Sequence, residues 1–232
     1  MPFDVGSKKV LSNNLLAALP EKELTRIKSK LEPFELNFGE RIYEAGDMIE
    51  DVYFPDTGIV SILATLGGES VLEVGIVGFE GIVGLSTFLG SPESRDRAVV
   101  QGQGVAQKMK TSDFLAACRK NPEFTKLLQH YTQSLMTQIS QSAVCYRFHK
   151  LEARLARWLL MSADGMRSDE FRLTQDFLSH MLGVRREGVT KSASHLQKEK
   201  IIRYSRGNLE ILDRKALELA SCPCYAILKG DT

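Results

Sequence analysis

The side chains best suited to contacting another molecule lie between Arg172 and Arg206, where eight basic residues accompany three acidic ones. Arg186, Glu187 and Lys191 form the densest group. Arginine and lysine can donate hydrogen bonds to guanine O6 and N7, and glutamate can accept one from cytosine N4. These residue types therefore suit the base edges exposed in the major groove of duplex DNA. The alternative is a solvated, charged helix face, which any short surface helix can have.

The elements that must position these charges can be predicted from spacing. A first short helix is indicated by apolar residues at the 3.6-residue period: Phe177, Leu178, Met181 and Leu182. Thr174 can cap its start and Gly183 can end it in a left-handed conformation. A second helix begins at about Arg185 and has three residues on its buried face: Val189, Ala193 and Leu196. Ile201 to Leu212 is strand-like on both sides of Arg206-Gly207-Asn208, which predicts a hairpin. The segment is therefore predicted to be a winged helix-turn-helix.

This segment resembles the DNA-binding end of the Crp/Fnr bacterial transcription regulators, whose recognition helix carries an Arg-Glu pair and a basic residue four positions on. Arg186, Glu187 and Lys191 stand in those places. The resemblance covers about residues 12 to 220 and implies a set of DNA-contacting residues: Thr174, Arg185, Arg186, Glu187, Thr190, Lys191 and Arg206. Asp176 also matches a backbone-touching position, although a carboxylate is ill suited to a phosphate. Arg185 replaces the small hydroxyl residue that usually caps the recognition helix.

Short β-rich runs recur from Glu32 to Lys110 at roughly 8 to 12-residue spacing, which predicts a barrel or jelly roll. The runs are Leu36-Phe38, Arg41-Tyr43, Val52-Phe54, Ile59-Ala64, Val71-Val77, Ala98-Val100 and Val105-Met109. The phrase YEAGDMIEDVYFPDTGIVSI, from Tyr43 to Ile62, resembles the first half of the cyclic-nucleotide-binding β-roll. The resemblance therefore implies an α+β chain with an N-terminal double-stranded β-helix, a long dimerisation helix and a C-terminal winged helix-turn-helix.

The glycine-rich stretch from Gly75 to Gln101 departs from the phosphate-binding cassette of the nucleotide-binding relatives. Their Gly-Glu pair falls at Gly81-Ile82, and Arg97 is followed by Ala98 rather than a hydroxyl residue. A buried cyclic phosphate would lose charge-assisted donors there. Three interpretations stay open: a purely structural loop, a different small effector, or a cyclic nucleotide. The expected effector is not cyclic AMP, and any pocket would use Glu80, Gly81, Ile82, Arg95, Arg97 and Ala98.

Asn121 to Phe148 is the longest helical pattern, with proline at its first position. Phe124, Leu128, Tyr131 and Leu135 are spaced 4, 3 and 4 apart, as in a two-stranded seam, and Ile139 shifts that seam. The other face, with Leu127 and Met136, could lie on the β-roll. A helix of about 42 Å would extend beyond a small domain, which favours a dimer helix over one packed inside its own domain. The predicted domains are therefore a β-roll with flanking helices (12–120), a dimerisation helix and hinge (121–148) and a DNA-binding domain (149–232).

Charge and cysteine usage fit this interpretation. Residues 1–146 carry 14 basic and 18 acidic side chains, whereas residues 147–232 carry 16 and 11. A positive C-terminal end suits a module that faces phosphates. The chain has no long apolar run, no basic-then-apolar leader and only four scattered cysteines, so we expect a cytoplasmic protein without a membrane contact.

Cys222-Pro223-Cys224 could bind a metal or sense oxidants, but no second cysteine pair accompanies it in the sequence. We therefore expect no metal and no cofactor. No catalytic motif is present, so an enzyme is the least favoured class. The expected partners are double-stranded DNA, a second copy of the chain, RNA polymerase and an unidentified small-molecule effector. The alternative function is a β-roll signalling module that senses a small molecule or redox state and regulates a protein instead of DNA.

Overall fold

A computed structural model describes residues 12–66 and 71–230. Within these ranges the strands are β1 (Glu32–Leu36), β2 (Arg41–Tyr43), β3 (Asp51–Pro55), β4 (Ile59–Thr65), β5 (Val71–Val77), β6 (Arg97–Gly102), β7 (Gly104–Lys110), β8 (Glu170–Arg172), β9 (Ile202–Ser205) and β10 (Asn208–Ile211). The α-helices are α1 (Asn14–Ala17), α2 (Glu21–Lys28), α3 (Thr111–Lys120), α4 (Pro122–Phe148), α5 (Leu151–Met166), α6 (Gln175–Leu182), α7 (Arg186–Lys198), α8 (Arg214–Ala220) and α9 (Cys224–Gly230). None of these helices is long and apolar enough to cross a bilayer.

The N-terminal strands form two antiparallel sheets that face each other, with strand orders β2-β6-β4-β5 and β1-β7-β3. The predicted β-roll is therefore confirmed. Six of the seven predicted strands overlap the observed ones closely. The first prediction, Leu36-Phe38, is displaced, because the strand runs from Glu32 to Leu36 and pairs with β7.

Strand β4 explains how the two halves of the chain are joined. Val60 and Ile62 point into the core of the roll, whereas Ile59 and Leu63 pack on the opposite face against α5. A strand that is covered on both faces is expected to be a continuous apolar run rather than an alternating one. The C-terminal module therefore rests directly on the outer face of one sheet of the roll.

Helix α4 packs along the roll of its own chain, and this corrects the predicted dimer seam. Phe124, Leu128 and Tyr131 are buried in the core of the roll, and Leu135 is packed against it. Two glycines allow the close approach: a Cβ on Gly81 would lie 2.1 Å from Tyr131 Oη, and one on Gly75 would lie 3.2 Å from Leu135 Cδ1. The 4-3-4 spacing thus describes an intramolecular face. Ile139, at the edge of that face, is 38% exposed.

The opposite side of α4 is open in the single chain. Met136 is 57% exposed, and Val144 and Phe148 are also exposed. Of the two residues expected to lie on the roll, Leu127 packs against its core, whereas Met136 does not, because the roll is covered by the Phe124–Leu135 face. The helix ends at Phe148, and His149 and Lys150 separate it from α5.

The C-terminal module contains α5 to α9 and a three-stranded sheet in the order β8-β10-β9. The wing hairpin is as predicted, and a third strand that was not predicted completes its sheet. Helix α5 continues to Met166, and Glu170 begins strand β8, which pairs with β10. The terminal helix α9 was not predicted, although Tyr225 and Leu228 are buried on its inner side.

Candidate nucleic-acid interface

Helix α6 begins and ends at the residues that the sequence indicates. The Thr174 hydroxyl accepts a hydrogen bond from the Phe177 amide at 3.1 Å, which satisfies one free donor of the first turn. Gly183 has φ +61°, and its amide donates to the His180 carbonyl. The left-handed glycine turns the chain towards α7 without a steric penalty.

Helix α7 presents the predicted charged group to solvent. Val189, Ala193 and Leu196 are buried against the rest of the module, which fixes the rotation of the helix. The opposite face carries five of the predicted DNA-contacting residues, all of them exposed: Arg185, Arg186, Glu187, Thr190 and Lys191. Arg185 occupies the N-cap position and its side chain makes no capping hydrogen bond. Arg185 therefore places its charge at the N-terminus of α7, where the free helix amides also favour anions.

Two side-chain contacts that the sequence does not indicate join the start of α6 to the start of α7. Thr190 Oγ1 donates to Gln175 Oε1 at 2.7 Å, and Arg186 Nη1 lies 3.3 Å from Asp176 Oδ1. The carboxylate of Asp176 thus contacts an arginine of the neighbouring helix. Since both ionic partners are exposed, the pair contributes at most about 1 kcal/mol and can open when another anion competes. Gln175 was missed because a glutamine at the first helical position carries no distinctive signal.

The wing is a tight hairpin whose tip carries a basic side chain. Arg206 and Gly207 have φ +52° and +81°, as a two-residue turn of this twist requires. Arg206 is exposed at the tip. Tyr204 Oη donates to the Leu173 carbonyl at 2.9 Å and holds the hairpin against the start of α6. The hairpin that carries Arg206 is therefore held beside Thr174 and the start of α6.

The residues expected to form an effector pocket are not brought to one site. Arg97 pairs with Glu44 at 2.6 Å, Arg95 is exposed, and Ile82 and Ala98 are buried in the core of the roll. Glu80 instead lines a separate cleft that contains neither arginine. The pKa of Glu80 is raised by burial, although the Gly78 amide donates to its carboxylate at 2.8 Å. The space beside Gly81 is filled by the Tyr131 ring.

The cleft beside Glu80 has a volume of about 440 Å³ and lies where α1, α4, α5 and α9 meet. Its lining is mostly apolar, with a few polar groups such as His130, Gln138 and Asp164. Pockets of this size and composition suit small organic molecules. The wall formed by α4 and the walls formed by α5 and α9 belong to different halves of the chain.

Comparison with known proteins agrees with this architecture. A family model described as the Crp-like helix-turn-helix domain matches residues 153–220. FixK2 from Bradyrhizobium japonicum has a similar structure (18% identity, TM-score 0.69), with 83% of this chain and 98% of that one covered. The c-di-GMP-responsive global regulator CLP of Xanthomonas campestris is also similar (15%, TM-score 0.67, 83% and 99% covered). So is a CRP-family transcriptional regulator of Thermus thermophilus (20%, TM-score 0.67, 82% and 96% covered).

No curated protein matches the sequence. The matched domain contains α6, α7 and the wing, and the similar structures extend over the roll and α4 as well. The chain therefore has the fold of the Crp/Fnr transcription regulators and carries a Crp-like helix-turn-helix DNA-binding domain at its C-terminal end.

Proposed function

We propose that this protein is a dimeric transcription regulator that binds a palindromic DNA site and responds to a signal other than a cyclic nucleotide. The observation that carries the proposal is the exposed start of α7, where Arg186, Glu187 and Lys191 surround the positive end of a helix. A helix with buried apolar residues on one side and these donors and acceptors on the other fits a major groove. Arg206 on the wing is suited to a phosphate, since its tip position allows contact without base reading.

A dimer is part of the proposal because two recognition helices are needed to bind one palindrome. The outer side of α4 supports it. Met136 and Val144 are exposed apolar residues on a 27-residue helix whose inner side is already used by the roll. A second copy of the same helix, related by a two-fold axis across this side, would cover them. The dimer face is accordingly assigned to Met136 and its neighbours instead of the Phe124–Leu135 seam.

The effector assignment rests on the absence of a suitable anion site among the described residues of the predicted pocket. The Arg97 guanidinium is already bonded to Glu44, and no carboxylate stands at Ile82. The mostly apolar cleft beside Glu80 is the better space for a small effector. Its walls come from both halves of the chain, so an occupant would change how α4 meets α5 and α9.

The test is a comparison of specific and random DNA. Arg186→Ala and Glu187→Ala should each lose about 1 to 3 kcal/mol on a selected site and relax preference at one or two base pairs. Arg206→Ala should weaken specific and random duplexes alike and reduce the salt dependence. Lys198→Ala, which removes a charge at the far end of α7, is the matched control and should change little. Unchanged specificity ratios in the Arg186 and Glu187 variants would contradict the assignment.

A further inference from the structure

The two C-terminal cysteines meet two residues at the end of α4. Cys145 and His149 lie one turn apart there, Cys222 lies in the connection from α8 to α9, and Cys224 is the first residue of α9. One ligand atom from each of the four residues can be chosen so that all four atoms lie within 4.8 Å of one another. The fold therefore supplies the second pair of ligands that the sequence pattern lacked.

We propose that Cys145, His149, Cys222 and Cys224 form a four-ligand site for a thiophilic divalent cation of the Zn²⁺ class. With Zn–S near 2.3 Å and Zn–N near 2.0 Å, a tetrahedral site needs ligand separations of about 3.5 to 3.8 Å. Cys145 Sγ and Cys222 Sγ are 3.5 Å apart, and Cys224 Sγ lies 3.4 Å from His149 Nδ1. Three sulfurs and one imidazole nitrogen are a ligand set that structural zinc sites use.

A buried positive charge beside the cluster supports the assignment independently. Arg157 is only 3% exposed, and its Nε and Nη1 atoms have no hydrogen-bond partner within the described residues. Its guanidinium charge acts on both Cys145 and Cys222. A divalent ion with three thiolates and a neutral histidine has a net charge of −1. Such a centre would balance the guanidinium, whereas three neutral thiols would not.

Surrounding contacts hold the ligands in place. Gln141 Nε2 donates to Cys224 Sγ at 3.1 Å, and the His149 amide donates to the Cys145 carbonyl at 3.1 Å. Binding would release the thiol protons to solvent, because the ligands of such an ion are thiolates. The bound ion would join the end of α4 to the segment that follows the wing. It would thereby fix the DNA-binding module relative to the long helix.

The test uses the full chain, reduced and freed of metal with a chelator, and titrated with Co²⁺ as an optical probe. The expected result is one Co²⁺ per chain with thiolate charge-transfer bands of tetrahedral coordination, followed by displacement with Zn²⁺. Cys224→Ser and His149→Ala should each weaken binding by more than about 100-fold, since even outer contacts to metal ligands change affinity 10- to 100-fold. Cys118→Ser removes a buried cysteine of α3 that is remote from the cluster and should bind normally.

A second readout does not depend on the variants folding. Zn²⁺ should protect three of the four thiols of the wild-type chain from alkylation and raise its melting temperature. Absence of the thiolate bands, binding retained in both ligand variants, or a Cys145–Cys222 disulfide in place of metal would each overturn the proposal.

Discussion

Glu73 is a buried acid at the junction of the two halves, and its ionisation should control the stability of that junction. It lies on β5, is 4% exposed, and accepts a hydrogen bond from Trp158 Nε1 of α5 at 2.7 Å. Its other oxygen is 2.6 Å from Ser61 Oγ, which in turn is 2.7 Å from Gln101 Oε1. A serine hydroxyl has one proton, so it cannot donate to both neighbours. When Glu73 is ionised, Ser61 donates to its carboxylate; when Glu73 is protonated, it donates to Ser61 and leaves the serine proton for Gln101.

The pH dependence follows from this arrangement. Burial raises the pKa of Glu73 from 4.5 to about 7, against the opposing effects of Ser61, Trp158 and Arg157. The folded state therefore binds the proton more tightly than the unfolded state. The stabilisation is fully present below pH 4.5 and is lost as the pH rises through about 7. The shift corresponds to roughly 3 kcal/mol.

We expect Glu73→Gln to remove most of this dependence, because the glutamine amide can donate to Ser61 while its oxygen accepts from Trp158. The measurement is urea denaturation at pH values of about 5 and 8, compared between the variant and the wild type. Glu93→Gln, which changes an exposed acid, should retain the wild-type dependence. An equally large loss of stability between the two pH values in Glu73→Gln would refute the assignment to this residue.

Other predictions concern α4 and the effector. Leu128→Ala should lower the free energy of unfolding by about 2 to 5 kcal/mol, measured by denaturation, because Leu128 is buried in the roll; it should leave the dimer intact. Met136→Lys should instead give a folded monomer in sedimentation, since it would bury a charge between two helices. Leu219→Lys, at an exposed position of α8, should not change the oligomeric state. Cyclic AMP and cyclic GMP should bind no tighter than about millimolar by calorimetry, because two charge-assisted contacts are missing; micromolar binding would contradict this.

The winged helix-turn-helix could be predicted because its signals are local. Thr174 and Gly183 mark the ends of α6, and Val189 with Leu196 sets the buried side of α7. Each of these residues acts on neighbours that lie within one or two helical turns in the sequence. The same holds for the roll strands, whose turn residues lie beside them.

The surface that covers the apolar face of α4 could not be predicted, because a 4-3-4 spacing is found in any helix with one buried side. The shape of the surface that faces α4 decides whether the helix packs on a partner or on the roll. In this chain Gly75 and Gly81 of the roll leave space for Leu135 and Tyr131. The glycines were visible in the sequence, but their pairing with α4 depends on the tertiary fold.

The cysteine cluster could not be predicted from the sequence, because its members also meet only in the tertiary fold. Cys145 and Cys222 are separated by 77 positions, so no local motif joins them. Only the packing of α9 beside the end of α4 brings the four side chains together. The Cys145–His149 spacing of four residues at the end of one helix was the available hint.

The most direct test of the central claim is selection of binding sites from a random duplex library by the wild-type protein and by Arg186→Ala. We predict that the wild type enriches an inverted repeat whose half-sites are about 10 base pairs apart centre to centre. The variant should lose preference at one position in each half-site. Enrichment of no repeat, or of the same repeat with the same preferences by both proteins, would contradict the account.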